Sequence, residues 1–158
     1  MPLWKLQPVK QLLKDDQWAV AEIQHTSGPG LIRFRQPVLA PRDCRSHPHR
    51  LSITWAYAEE GSGQQLPDNE VGQEMGRFED HLTAAVEADA HAVLTGVLTF
   101  DGARQWVFYT RDVSEFADRL SRIPDYHGEP YPIELETDYD ATWSYLRDQI
   151  LGGVDTGA

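Results

Sequence analysis

Between Arg50 and Asp138 the apolar positions change period repeatedly, and the changes spell out an order of elements. Leu51, Ile53, Trp55 and Tyr57 alternate with Ser52, Thr54 and Ala56, the period of two expected of a strand with one apolar face. Val71, Met75, Phe78, Leu82 and Val86 then recur at steps of four, three, four and four. That spacing lines one stripe of a helix, for which Asp68 or Asn69 is the expected cap. Ala92 to Phe100 and Arg104 to Thr110 read as a hairpin, because Asp101-Gly102 at its tip supplies the positive φ values of a type I′ turn. Asp112 to Arg122 predicts a second helix with Val113, Phe116 and Leu120 on one face, stopped by Pro124. Tyr131 to Thr137 is the last strand, with Ile133 and Leu135 on one side and Glu134, Glu136 and Asp138 on the other.

Strand, helix, strand, strand, helix, strand is the order of a ferredoxin-like split motif. The expected fold is therefore α+β, a ferredoxin-like βαββαβ core with an antiparallel sheet and both helices on one face. Leu51–Tyr57 and Arg104–Thr110 take the middle of the sheet, and Tyr131–Thr137 lies beside the first of these at an edge. Pro8 to Asp16 predicts one or two helical turns with Val9, Leu12 and Leu13 facing one way. Trp18–Ile23 and Leu31–Arg35 form an added N-terminal hairpin around Ser27-Gly28-Pro29-Gly30. In it Ile32 and Phe34 point opposite to Arg33 and Arg35. Pro41 to His49 is a polar connector. Asp140 caps a C-terminal helix carrying Trp143, Leu146 and Ile150. Gly72 and Gly76, beside the apolar stripe of the first long helix, predict close approach of that helix to the sheet. With no repeat and no second core, residues 1–158 read as one domain with a core over about 16–150 and a fraying tail at 152–158.

Composition narrows the function classes. Hydrophobic residues make up 41% of the 158, enough for a proper core. No apolar run approaches the roughly 18 residues of a spanning helix, and the N-terminus lacks the pattern of a secretion signal. The single Cys44 fits a reducing, cytoplasmic compartment. The charge is lopsided. Through Arg50 there are eight Lys and Arg against four Asp and Glu; beyond it there are six against twenty-one, and the whole chain carries −11. Such a body repels nucleic-acid phosphates and attracts a basic protein partner.

Several groupings suggest chemistry, each with a plainer reading. Cys44, His47 and His49 have metal-compatible side chains, yet no second cysteine pairs with them, and a polar connector is the simpler account. Glu79-Asp80-His81 fan around a helix and so describe a solvated face. Glu134, Glu136 and Asp138, with Asp140 beyond, make an acidic ladder. Its readings are a hard-cation site, charge that protects a sheet edge, or a surface paired with Arg33 and Arg35 if the N-terminal hairpin docks there. Trp106 and Phe108 belong to the core, whereas Tyr109, with Thr54, Thr95 and Thr99, lines the sheet face left free of helices. No nucleophile elbow, phosphate loop, dinucleotide fingerprint or His-Glu-x-x-His occurs, so no catalytic residue, cofactor or metal site is assigned.

Trp18-Ala19-Val20-Ala21-Glu22, Pro48-x-x-Leu51-x-Ile53-x-Trp55 and Met75-x-x-Phe78-Glu79-Asp80-x-Leu82 occur in that order, followed by Thr99-Phe100-Asp101-Gly102 and Trp106-Val107-Phe108-Tyr109-Thr110, then Pro132 and Asp140-x-x-Trp143. In these the chain resembles the bacterial family called domain of unknown function 695, over about residues 16 to 147. That resemblance implies no activity and no catalytic residues. The family is similar in general build to the B-type regulators of ribonuclease E activity, acidic ferredoxin-like proteins that inhibit an enzyme by binding it, although this chain lacks their long acidic tail. The expected function is a non-catalytic cytoplasmic binding or regulatory domain, monomer or homodimer, whose acidic surface engages a protein partner without nucleic acid or membrane. The alternative is a small-molecule site or hydrolase on the helix-free sheet face or beside the connector, with Arg33, Arg35, His47, His49 and Tyr109 as its polar members.

Overall fold

The computed structural model describes residues 7–25, 28–59, 61–64 and 66–152. Its elements are α1 (Pro8–Asp15), β1 (Gln17–His25), β2 (Gly28–Gln36), β3 (His49–Ala56), α2 (Asn69–Glu87), β4 (Ala92–Phe100), β5 (Ala103–Thr110), α3 (Val113–Ser121), β6 (Glu134–Tyr139) and a short π-helical segment, Tyr145–Ile150. The six strands form one sheet in the order β1-β2-β4-β5-β3-β6, and every neighbouring pair is antiparallel. Within it, β3 and β5 are central to the βαββαβ part and β6 lies beside β3 at the edge, as the alternation predicted. No helix among the described residues is long and apolar enough to cross a membrane.

Local chemistry explains the boundaries. Asp68 caps α2 by accepting from Val71 N, and Asp112 caps α3 by accepting from Glu115 N. Asp101 (φ 49°) and Gly102 (φ 80°) both take positive φ at the β4–β5 tip, as the tight turn requires. A side chain at Gly102 would also collide with the carbonyl of Ala58, 2.6 Å from an added Cβ, where Gly102 O accepts from the amides of Tyr57 and Ala58. Close backbone approach therefore occurs here and at Gly30, where an added Cβ would meet Phe100 at 2.6 Å. It does not occur at Gly72 or Gly76, whose space is open apart from Pro67 3.9 Å from the former. Gly28, Pro29 and Gly30 belong to β2 rather than to a turn. The expected turn residue Ser27 and the tail beyond Gly152 lie outside the described residues.

Alternation along the strands divides the interior into two layers. On one face Leu51, Ile53, Trp55, Leu94, Trp106 and Phe108 pack against Met75, Phe78, Leu82 and Val86 of α2 and Phe116 of α3. On the other face Ile32, Phe34, Val93, Val107 and Tyr109 pack against Val9 and Leu12 of α1, Cys44 of the connector, and Trp143, Leu146, Ile150 and Leu151 near the C-terminus. The second face is thus not free of helices where Tyr109 lies. Of the apolar residues expected on a C-terminal helix, Leu146 and Ile150 lie on the Tyr145–Ile150 segment, whereas Trp143 precedes it with φ 58°; all three cover that face.

β2 meets β4 only from Leu31 to Phe34, and β4 bulges between Leu94 and Gly96. Side chains satisfy the backbone that the bulge leaves over. Arg35 Nε donates to Leu94 O at 3.1 Å, and Glu87 Oε2 accepts from Leu94 N at 2.8 Å. Thr95 donates its hydroxyl to Val107 O. Unpaired buried backbone groups are costly, which accounts for an arginine and a glutamate at this place.

Candidate functional site

Arg33 and Arg35 do not meet the acidic ladder, because the hairpin that carries them docks on β4, at the far side of the sheet from β6. Arg33 pairs with Glu79. Arg35 is buried and reaches Glu87 at 3.3 Å and Asp16 at 3.5 Å. Both guanidinium groups lie over the Trp18 ring, at 4.9 and 4.6 Å, a favourable cation–π placement. Burial pushes the Glu87 carboxyl upward, a tendency that the Leu94 amide and Arg35 oppose. Arg35 thus has partners within the fold in Leu94 O, Glu87 and Asp16.

Glu79 departs from the solvated role expected of it. Its Oε1 accepts from Trp106 Nε1 at 3.0 Å as well as from Arg33. A Glu79→Ala variant is expected to lose about 2 kcal/mol, because it strands a buried indole N–H and unpairs Arg33. Asp80→Ala, on the exposed side of the same turn, is expected to lose less than about 0.5 kcal/mol. Urea midpoints of the two variants test the contrast.

Tyr109 is fully buried, stacked on Trp143 with centroids 4.6 Å apart. Its hydroxyl donates to Asp140 Oδ2 at 2.8 Å, and burial, then Asp140, drives its pKa upward. Asp140 also accepts from the amides of Ser144 and Tyr145 and the hydroxyl of Ser144. Asp140 was expected to cap the terminal helix; Ser144 takes the N-cap position, and Asp140 instead satisfies the amides at the segment's start, bonds that hold its carboxyl below the usual range although burial opposes them. Tyr109 has no surface exposed on this face. A cleft of about 390 Å³ opens around the hairpin tip, bordered by Thr54, Ala56, Phe100, Asp101 and Gln105.

The connector residues separate. Cys44 is fully buried, with Sγ 3.4 Å from Ala40 O, and burial pushes its thiol up to about 12; a thiol held neutral is a poor nucleophile. His47 is buried, its Nε2 2.6 Å from Ala90 O and its Nδ1 2.7 Å from Ser46 Oγ. A carbonyl only accepts, so Nε2 carries the proton and Nδ1 accepts from Ser46. Desolvation holds His47 down to about 4, which makes it a weak base for activating Ser46. His49 turns instead to Tyr139, ring to ring at 5.6 Å. Among the described residues no three His, Cys, Asp or Glu side chains are grouped to hold a metal ion.

The grouping that does form lies along β6 and β3. Register sets Glu134 across from Thr54, Glu136 across from Ser52 and Asp138 across from Arg50. Arg50, only 5% exposed, donates from Nη1 to Ser52 Oγ at 2.6 Å and from Nη2 to Glu136 at 3.0 Å, and lies 3.9 Å from Asp138. Its guanidinium covers the Tyr145 ring at 4.0 Å, and Tyr145 OH accepts from Gln105. Glu136 and Asp138 keep most of their side-chain surface in water. The opposite side of β6 presents Leu135 at 50% and Tyr139 at 68% exposure, and all six residues of the strand are exposed. Among the described residues β6 pairs with β3 alone, so none of them pairs with its outer backbone edge.

Residues 16–151 match a family model described as a family of unknown function, DUF695. The chain belongs to this family. No curated protein matches it. The DUF695 match takes in all six strands and both layers of the interior apart from α1. It therefore also spans the acidic ladder, Arg50 and Asp140.

Proposed function

We propose that this DUF695 chain is a non-catalytic cytoplasmic binding domain whose β6 edge engages a basic protein segment. The observation that carries the reading is the construction of that edge. One strand combines a backbone edge that no described residue pairs with, alternating carboxylates at Glu134, Glu136 and Asp138, and exposed Leu135 and Tyr139 on its other side. An extended segment added to such an edge gains main-chain hydrogen bonds from the strand and specificity from alternate side chains. Carboxylates on an edge ordinarily keep it from pairing with other edges; here they also select a partner strand that carries Lys or Arg. The excess of acidic residues after Arg50 favours encounter with such a partner.

The test is affinity capture from the native lysate at low and high salt, using the wild-type chain and a Glu134→Gln, Glu136→Gln, Asp138→Asn variant. The expected result is a basic protein held by the wild type at low salt, released at high salt and lost from the variant. Equal retention by both chains would overturn the reading. A dimer in light scattering that the same substitutions dissolve would mean that the edge pairs with a second copy instead.

A further inference from the structure

A cleft of about 580 Å³ opens between the end of β2 and the C-terminal segment, within the size range of small-molecule sites. Phe34, Pro37, Val38 and Leu151 give it apolar walls, and Gln36, Arg147 and Asp148 are its polar members. Arg147 sets this cleft apart. Its guanidinium takes part in no ion pair among the described residues, and its Nη1 is buried without a hydrogen-bond partner. The Cys44 thiol neighbours the Arg147 side chain; it is a weak acceptor that offers no counter-charge while protonated. A partly desolvated cation without a counter-ion is unfavourable. An anion that enters the cleft therefore gains more than it would on a fully hydrated arginine. The planar fork of the guanidinium suits a carboxylate, and the neighbouring Asp148 disfavours a second negative charge.

We propose that this cleft is a binding site for a small apolar monocarboxylate, its carboxylate at Arg147 and its hydrocarbon part along Phe34, Pro37, Val38 and Leu151. An alkanoate and an arylacetate share this chemistry, so octanoate and phenylacetate serve as the two probes, with octanol as the uncharged control. Isothermal titration of the full chain is expected to show saturable binding of at least one carboxylate, one molecule per chain, and none of octanol. The ratio of the two affinities then identifies the shape of the natural ligand's apolar part. Arg147→Met is expected to weaken binding by about tenfold or more, with Arg147→Lys in between. Asp148→Asn is expected to tighten it a few-fold, and Val38→Trp to abolish it by filling the cleft. The last two variants leave Arg147 in place, so they decide the matter if the methionine variant does not fold. No saturation by either carboxylate up to about 10 mM, or equal binding by wild type, Asp148→Asn and Val38→Trp, would overturn the proposal.

Discussion

Replacing Trp143 with alanine is expected to lower the free energy of unfolding by about 4 kcal/mol, near the top of the range for truncating a buried aromatic. Trp143 is 1% exposed. One face of its ring stacks on Tyr109 at 4.6 Å, and its Nε1 donates to His47 O at 2.8 Å. Truncation thus removes a large apolar area, opens a cavity against Tyr109 and leaves a buried carbonyl unpaired. Trp143→Phe keeps part of the stack and loses the hydrogen bond, so a cost of about 2 kcal/mol is expected for it. Guanidinium midpoints followed by far-ultraviolet circular dichroism avoid the loss of an emitting tryptophan. A cost under about 1 kcal/mol for the alanine variant would mean that the C-terminal segment does not pack on the sheet in solution.

The second large effect is on pH dependence. His47 is held down to about 4 in the folded chain, first by desolvation and then by Arg111 and His91, against the Ala90 carbonyl, which favours the proton. In the unfolded chain it titrates near its ordinary value of about 6.5. Between these two values the unfolded state binds the extra proton, so stability falls as the pH falls. The contribution is fully present above pH 6.5, is lost progressively down to pH 4 and is constant below that. The whole loss amounts to about 3 kcal/mol. Glu87 works the other way, since its raised carboxyl takes up a proton in the folded state first. Asp140, depressed by its hydrogen bonds, adds a further loss only near and below the ordinary aspartate range. Urea midpoints of wild type and His47→Gln across pH 4 to 7 isolate the histidine term. The glutamine amide can still donate to Ala90 O, and its slope is expected to be flatter over this window. Parallel curves for the two chains would show that His47 is charged or solvent-exposed when folded.

Which parts of this were legible in the sequence has a physical explanation. The period of each segment placed the strands and helices, because periodicity records which face is buried. The strand order followed from the βαββαβ alternation. The ends of β6 were legible less well: Glu134 to Tyr139 form the strand, whereas Tyr131 and Ile133 pack as loop residues against the α2 layer. The polar partners were the least legible, because they depend on which surfaces meet. The predicted order already placed the last strand beside β3. Arg50, on the same face as Ser52 and Thr54, was therefore the cation within reach of Glu136 and Asp138, and Arg33 and Arg35 were not. Glu79 and Glu87 look like ordinary helix-surface carboxylates. Only the docked hairpin and the β4 bulge turn them inward, and no local pattern records either event. Arg147 shows no signal in sequence, because the unpartnered state of its Nη1 depends on how the C-terminal segment docks.

β5 sends Trp106 and Phe108 into one layer and Val107 and Tyr109 into the other. A shift of that strand by one residue would exchange all four between the layers at once. Both layers therefore depend on the register of this one strand, although they share no side chains. Trp106 and Trp143 stand on opposite sides of this common wall.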